Sequence, residues 1–104
     1  KRKPMAIRHV VMWQLDGETQ EARHAKAVQL AAALTELQYL VPGIQMLTAG
    51  ANALEVDGNW DLVLVTDLTD EAALQTYQNH PDHLAVAAKI KAAANKRACV
   101  DIEL

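Results

Sequence analysis

An α+β sandwich with the order β-α-β-β-α-β is what this sequence predicts, on three observations. Four short runs rich in strand-forming residues are spread along the chain, at 6–14, 44–52, 60–68 and 97–104. Between the first two lies one long segment with apolar residues at helical spacing. Between the last two lies a second helical segment, bent at Pro81. A chain of 104 residues can enclose one core and not two, so a single domain over 6–104 is expected.

The first run, AIRHVVMWQ, alternates Ile7, His9, Val11 and Trp13 with Arg8, Val10, Met12 and Gln14, and both sets are largely apolar. Asp16 and Gly17 make a turn, and Thr19 can cap a helix whose first turn holds Glu21, where a carboxylate meets the positive end of the dipole. Ala27, Leu30, Leu34, Leu37 and Val41 form its apolar stripe, and Pro42 with Gly43 stops it. IQMLTAGAN reads as the second strand. A loop with Asp57, Gly58 and Asn59 then leads to WDLVLVTDL, whose middle is apolar on both faces and is expected to be buried on both. Thr69, Asp70 and Glu71 start a helix that carries Ala73, Leu74 and Tyr77 inward and must end near Asn79, because Pro81 disfavours helical geometry at His80. Pro81 suits the first position of a new helix running to about Ala94, with His83, Ala87, Ile90 and Ala94 along one stripe. RACVDIEL supplies the last strand. The result is a ferredoxin-like plan in which helices cover one face of the sheet.

Hydrophobic residues make up 51% of the chain but aromatics only 4%, with no Phe, so the core is built from Leu, Val, Ile and Ala in thin layers. Since the first and third strands are apolar on both faces, the uncovered face calls for a second copy, and a homodimer with facing sheets is expected. A net charge of −3 without a basic, aromatic-interleaved stripe argues against nucleic-acid binding. No apolar run approaches the ~20 residues of a spanning helix, which argues against a membrane protein. Lys1, Arg2 and Lys3, followed by Pro4 and Met5, read as a flexible tail over residues 1–5 rather than a signal peptide. The single cysteine, Cys99, excludes an intrachain disulfide, and a cytoplasmic location is the default expectation.

YQNHPDHLAV, residues 77–86, is the most chemical stretch. Tyr77 closes one helix, His80 and Pro81 form the corner, and His83 looks back along the next. A His83 ring withdrawn from water would be neutral at pH 7 and able to act as a general base, with the Tyr77 hydroxyl fixing its tautomer. The plainer alternative is a histidine that satisfies backbone groups at a helix corner. Zinc on His80 and His83 lacks a ligand-spaced third partner, although Cys99 and His9 lie on strands that can approach. His24 falls on the polar side of the first helix and is expected to be solvated. Trp13 and Trp60 read as core or dimer-interface anchors. Cys99, with no flanking base, reads as a buried small residue rather than a nucleophile.

With IRHVV at the start, VPGI after the first helix, DLVLV in the third strand and HPDHLAV at the corner, the chain resembles the stress-responsive A/B barrel (Dabb) family from about Ala6 to Ile102. The resemblance implies a dimeric α/β barrel with a cavity between sheet and helices, lined here by His9, Val11, Leu64 and His80. One plant member is a polyketide cyclase, an intramolecular aldol enzyme, whose base and tyrosine match His83 and Tyr77 and whose strand histidine matches His9. Its second tyrosine and a further histidine are replaced here by Leu34 and Leu62. The family also holds magnesium through backbone carbonyls at positions matching Gln38, Val41 and Ile44; no other cofactor is expected. The leading expectation is a small dimeric protein whose cavity binds a small hydrophobic or aromatic molecule. The alternatives are a polyketide-cyclase-like enzyme using His83 and Tyr77, and a cofactor-free monooxygenase of the same fold, for which no specific motif is present.

Overall fold

The structure, a computed structural model, describes residues 5–104. The expected tail over residues 1–5 lies outside the described residues except for Met5, which is exposed. The elements are β1 (Ile7–Leu15), α1 (Gln20–Leu40), β2 (Ile44–Ala51), β3 (Leu62–Leu68), α2 (Glu71–Asn79), α3 (Pro81–Ala93) and β4 (Ala94–Glu103). The sheet order is β2-β3-β1-β4 and every neighbouring pair is antiparallel. This is the α+β ferredoxin-like arrangement, with the bent second helical region resolved into α2 and α3. Among the described residues no helix is long and apolar enough to cross a membrane.

Local chemistry sets the helix ends. Thr19 Oγ1 accepts the Ala22 N–H at 3.0 Å and Asp70 Oδ1 accepts the Ala73 N–H at 2.8 Å, each satisfying a donor that the first helical turn leaves free. At the end of α1, the carbonyl of Gln38 would need an N–H four residues on, where Pro42 has none. The chain then turns through Gly43 at φ +87°, and a Cβ there would lie 2.9 Å from the Ala73 Cβ, so both the backbone angle and the space require glycine. Only His80 separates α2 from α3. It is extended at φ −65° and ψ 135°, and its Nδ1 accepts the Asp82 N–H at 3.1 Å while Pro81 takes the first helical position.

The core forms where Ala27, Leu30, Ala31, Leu34 and Leu37 of α1 meet Val11, Trp13 and Leu15 of β1 and Leu62, Leu64 and Leu68 of β3. Each fully buried leucine of this kind contributes about 1.5–3 kcal/mol. Asp61, buried just before β3, accepts the Leu15 N–H on its side chain at 2.8 Å and stands 3.6 Å from Arg23 Nε. Its carboxylate takes over the pairing there, so β3 begins at Leu62 and not at Trp60. β4 begins at Ala94, before the expected Arg97, because no turn separates it from α3.

The strands present different residues on their two faces. Inside, under the helices, His9 lies opposite Thr66 and Asp101, and Val11 opposite Leu64 and Cys99. Outside, Val10 lies opposite Val65 and Val100, and Met12 opposite Val63 and Ala98. Burial of β3 on both sides is not observed in the single chain: Val63 is exposed and Val65 half-buried, because no helix reaches that face. The helices pack mainly over β1, β2 and β3. Cys99, expected to be buried, is consequently exposed on the inner side of the edge strand β4.

Candidate functional site

A cavity of about 510 Å³ opens between α3 and the sheet. Val11 and Trp13 of β1, Leu34 of α1 and Leu64 of β3 form its apolar floor. His83, Ala87 and Ile90 of α3 line one wall together with Ala94, which is the stripe expected from their spacing. His9 enters from β1, and Lys91 and Arg97 stand at the mouth; Lys96 touches the cavity's edge but, opposite Gln14, belongs to the outer face. Of the expected lining residues, His9, Val11 and Leu64 are present. His80 is not, because its side chain is committed to capping α3.

His83 Nδ1 lies 3.0 Å from the Gln78 carbonyl, so the Nδ1–H donates to it and Nε2 is left as the acceptor nitrogen. Burial lowers the imidazole pKa, outweighing the Gln78 bond that favours the proton, and the ring is neutral at pH 7. The tautomer is therefore set by a backbone carbonyl and not by Tyr77, as the sequence led us to expect. Tyr77 meets His83 ring against ring, with centroids 4.4 Å apart at 53°. Its ring also approaches His9 edge-on at 6.3 Å and 69°. The Tyr77 hydroxyl is buried without a hydrogen-bond partner among the described residues, burial raises its pKa, and the residue does not line the cavity. Tyr77 sits behind the two imidazoles and holds them by packing.

His9 is itself held by Asp101, its cross-strand partner on β4, through Nδ1 and Oδ1 at 2.5 Å. Asp101 was not singled out from the sequence. Only the antiparallel register of β1 with β4 brings the two together, across 92 positions of chain. Cys99 Sγ lies 3.6 Å from the same Nδ1, which places a thiol, an imidazole and a carboxylate within 4.8 Å of one another. A nucleophilic triad would need thiol and carboxylate on opposite ring nitrogens, and here they share one. Burial and Asp101 also raise the Cys99 pKa, so the group is a thiol and not a thiolate.

The zinc pair considered for His80 and His83 offers one usable nitrogen: His83 keeps Nε2 free, but His80 Nδ1 accepts the Asp82 N–H, so its Nε2 carries the proton. His24 is exposed, but it is more than a solvated residue: its Nδ1 meets the Asn52 carbonyl at 3.1 Å and ties α1 to the end of β2. Trp13 is a core residue on the cavity wall, while Trp60 is half-buried outside it. Leu34 lines the cavity. Leu62 is packed in the core and does not. One turn beyond Leu34 on α1, the Gln38 carbonyl freed by Pro42 is a ligand suited to a hard cation, and Val41 and Ile44 add neutral carbonyls without a carboxylate.

The family described as Stress responsive A/B Barrel Domain matches residues 7–104. The chain belongs to this family. Comparison with curated proteins found no match. Among solved structures, a dimeric ferredoxin-like protein of unknown function from Thermobifida fusca is 29% identical, with a TM-score of 0.82 over 98% of this chain and 93% of that one. A dimeric protein of unknown function and ferredoxin-like fold from Bacteroides fragilis is 22% identical, with a TM-score of 0.84 over 95% and 96%. A hydroxynitrile lyase from Passiflora edulis is 15% identical, with a TM-score of 0.77 over 98% and 95%. This A/B barrel domain thus shares its fold with proteins described as dimeric and, at lower identity, with an enzyme.

Proposed function

We propose that the chain is a homodimer whose subunits each bind a small apolar or aromatic molecule in the cavity above the inner sheet face. The cavity carries this reading: about 510 Å³ of space with a floor of Val11, Trp13, Leu34 and Leu64 is lined by apolar groups but holds two imidazoles. The dimer rests on the open outer face, where Val10, Met12, Val63, Val65, Val100 and Ile102 form an apolar surface bordered by the Arg8–Asp67 ion pair, and on the relatives described as dimeric. Mass spectrometry of the protein as purified, under non-denaturing conditions, tests both parts. A two-chain species carrying a small organic molecule is expected; a bare monomer at micromolar concentration would refute the assembly.

A second reading, proton abstraction by His83, is favoured by the fixed tautomer. With Nδ1–H on the Gln78 carbonyl, the Nε2 lone pair is available to a substrate C–H beside a carbonyl. On taking the proton, the ring becomes an imidazolium whose Nδ1–H remains on Gln78, a bond that favours the charged form. Tyr77 acts as a positioning residue, holding the ring by contact. Because Leu34 on the cavity floor stands where the plant cyclase has its second tyrosine, a general carbonyl-adjacent deprotonation fits these residues better than polyketide cyclisation. Deuterium exchange into a bound ketone, followed by NMR, should be fast in the native protein and lost in His83→Ala. Equal exchange in both proteins would remove His83 from the chemistry. The carbonyls of Gln38, Val41 and Ile44 we assign as a weak magnesium site of structural character.

A further inference from the structure

We infer that the ligand of this cavity is an anion: a small aromatic or alkyl carboxylic acid whose carboxylate meets Lys91 and Arg97 at the mouth. The inference rests on the cavity being the ligand site and adds the charge of what enters it. The chain as a whole is acidic, with 13 Asp and Glu against 10 Lys and Arg. The cavity reverses that balance. Every charged side chain that lines it is a cation, and no carboxylate does.

The cations come from two elements, Lys91 from the last turn of α3 and Arg97, opposite Trp13, from the start of β4, which follow one another without a loop; Lys96, opposite Gln14, belongs to the outer face. Among the described residues no ion pair engages either one; Arg97 meets the Cys99 thiol, and its charge also helps to lower the His83 pKa. The nearby carboxylate, Asp101, is spent on His9. Uncompensated cations around an apolar recess focus their field into it, because little water inside screens them. An apolar molecule ending in a carboxylate would match both parts, its body on the leucine and valine floor and its charge at the rim. Lysine ammonium groups and the arginine fork are the donors such a group takes. A neutral His83 inside the cavity adds no charge, and an anion bound beside it would favour the imidazolium that proton transfer creates.

Calorimetry with 2-naphthoic acid and its methyl ester, two probes of the same shape and different charge, tests the point on the full chain. At low ionic strength the acid should bind about tenfold more tightly than the ester, as expected for two partly exposed ion contacts. A Lys91→Gln/Arg97→Gln double variant should remove most of that advantage while leaving the ester's affinity unchanged, which also shows that the cavity is intact. Acid and ester binding equally, or an acid preference that survives the double substitution, would overturn the inference and leave the cavity as an apolar site. If neither probe binds, the ligand-site reading falls and this inference falls with it.

Discussion

The two faces of the sheet are made from the same strands and from alternate residues, yet they meet different fates. On the inner face Val11, Leu62, Leu64 and Leu68 are each 2% exposed or less. On the outer face Met12 is 40% exposed, Val100 61% and Ile102 45%, although these residues are as apolar as those inside. Helices account for the difference, since among the described residues α1 and α2 pack on one side of β3 and no helix packs on the other. Apolar character therefore marks a surface that must be covered; topology decides whether the chain covers it itself. Polarity follows the same rule, for the inner face turns polar where helix cover thins, at Arg97, Cys99 and Asp101 of β4.

The strongest way to break this comparison is to charge the uncovered face. Val10→Asp should abolish the dimer, because an unpaired carboxylate in an apolar interface costs several kcal/mol. Light scattering would then give the 11.4 kDa chain alone, or aggregates if the face cannot stand open. Dimers that persist would mean that the outer face is not the interface. Next in size, Leu68→Ala on the inner face should lose about 2–5 kcal/mol in urea unfolding, since a fully buried leucine leaves a cavity. Val65→Ala, at the centre of the outer face, should cost the dissociated monomer less than about 1 kcal/mol. Equal costs at the two positions would erase the distinction between the faces.

Acid sharpens it further. Burial holds the His83 imidazole below its ordinary 6.5, so the unfolded chain takes up the proton first. The contribution of neutral His83 is complete above pH 6.5 and is lost as pH falls through the lower folded value. Unfolding measured from about pH 7 down to about pH 5 should thus steepen in the native chain relative to His83→Gln, which has no such group. The smallest effect concerns Tyr77. Its buried hydroxyl has no partner, so Tyr77→Phe should leave stability unchanged or raise it by about 1 kcal/mol. A loss instead would show that the hydroxyl makes a bond in solution, and a loss of proton exchange without loss of stability would place it in the chemistry.

Much of this was legible in the sequence, for a definite reason. The α1 stripe, the stop at Pro42 and Gly43, the corner at Pro81 and the cavity-facing row His83, Ala87, Ile90 are all set by residues within a turn or two of one another. What escaped depends on register or on cover. Asp101 is connected to His9 only through β1–β4 pairing, and Asp61 to Leu15 only through the side chain that closes β3. Cys99 looks like a core residue until the reach of the helices is known. The role expected of the Tyr77 hydroxyl went instead to the Gln78 carbonyl, because a backbone acceptor at the end of α2 is already in place where His83 begins to turn inward.

Gly43 carries a consequence for how such chains can be recombined. The first β-α-β half carries it in the turn between α1 and β2, and the second half places Ala73 against it, so close that a Cβ at residue 43 would stand 2.9 Å away. The two halves are joined by a loop, but they are matched at this contact. A hybrid that took its first half from a relative with any larger residue at this turn would have to move α2 outward, and with it the corner that holds His83. Exchange of halves between members is thus limited to parents that share the glycine, and the cavity is inherited with the turn.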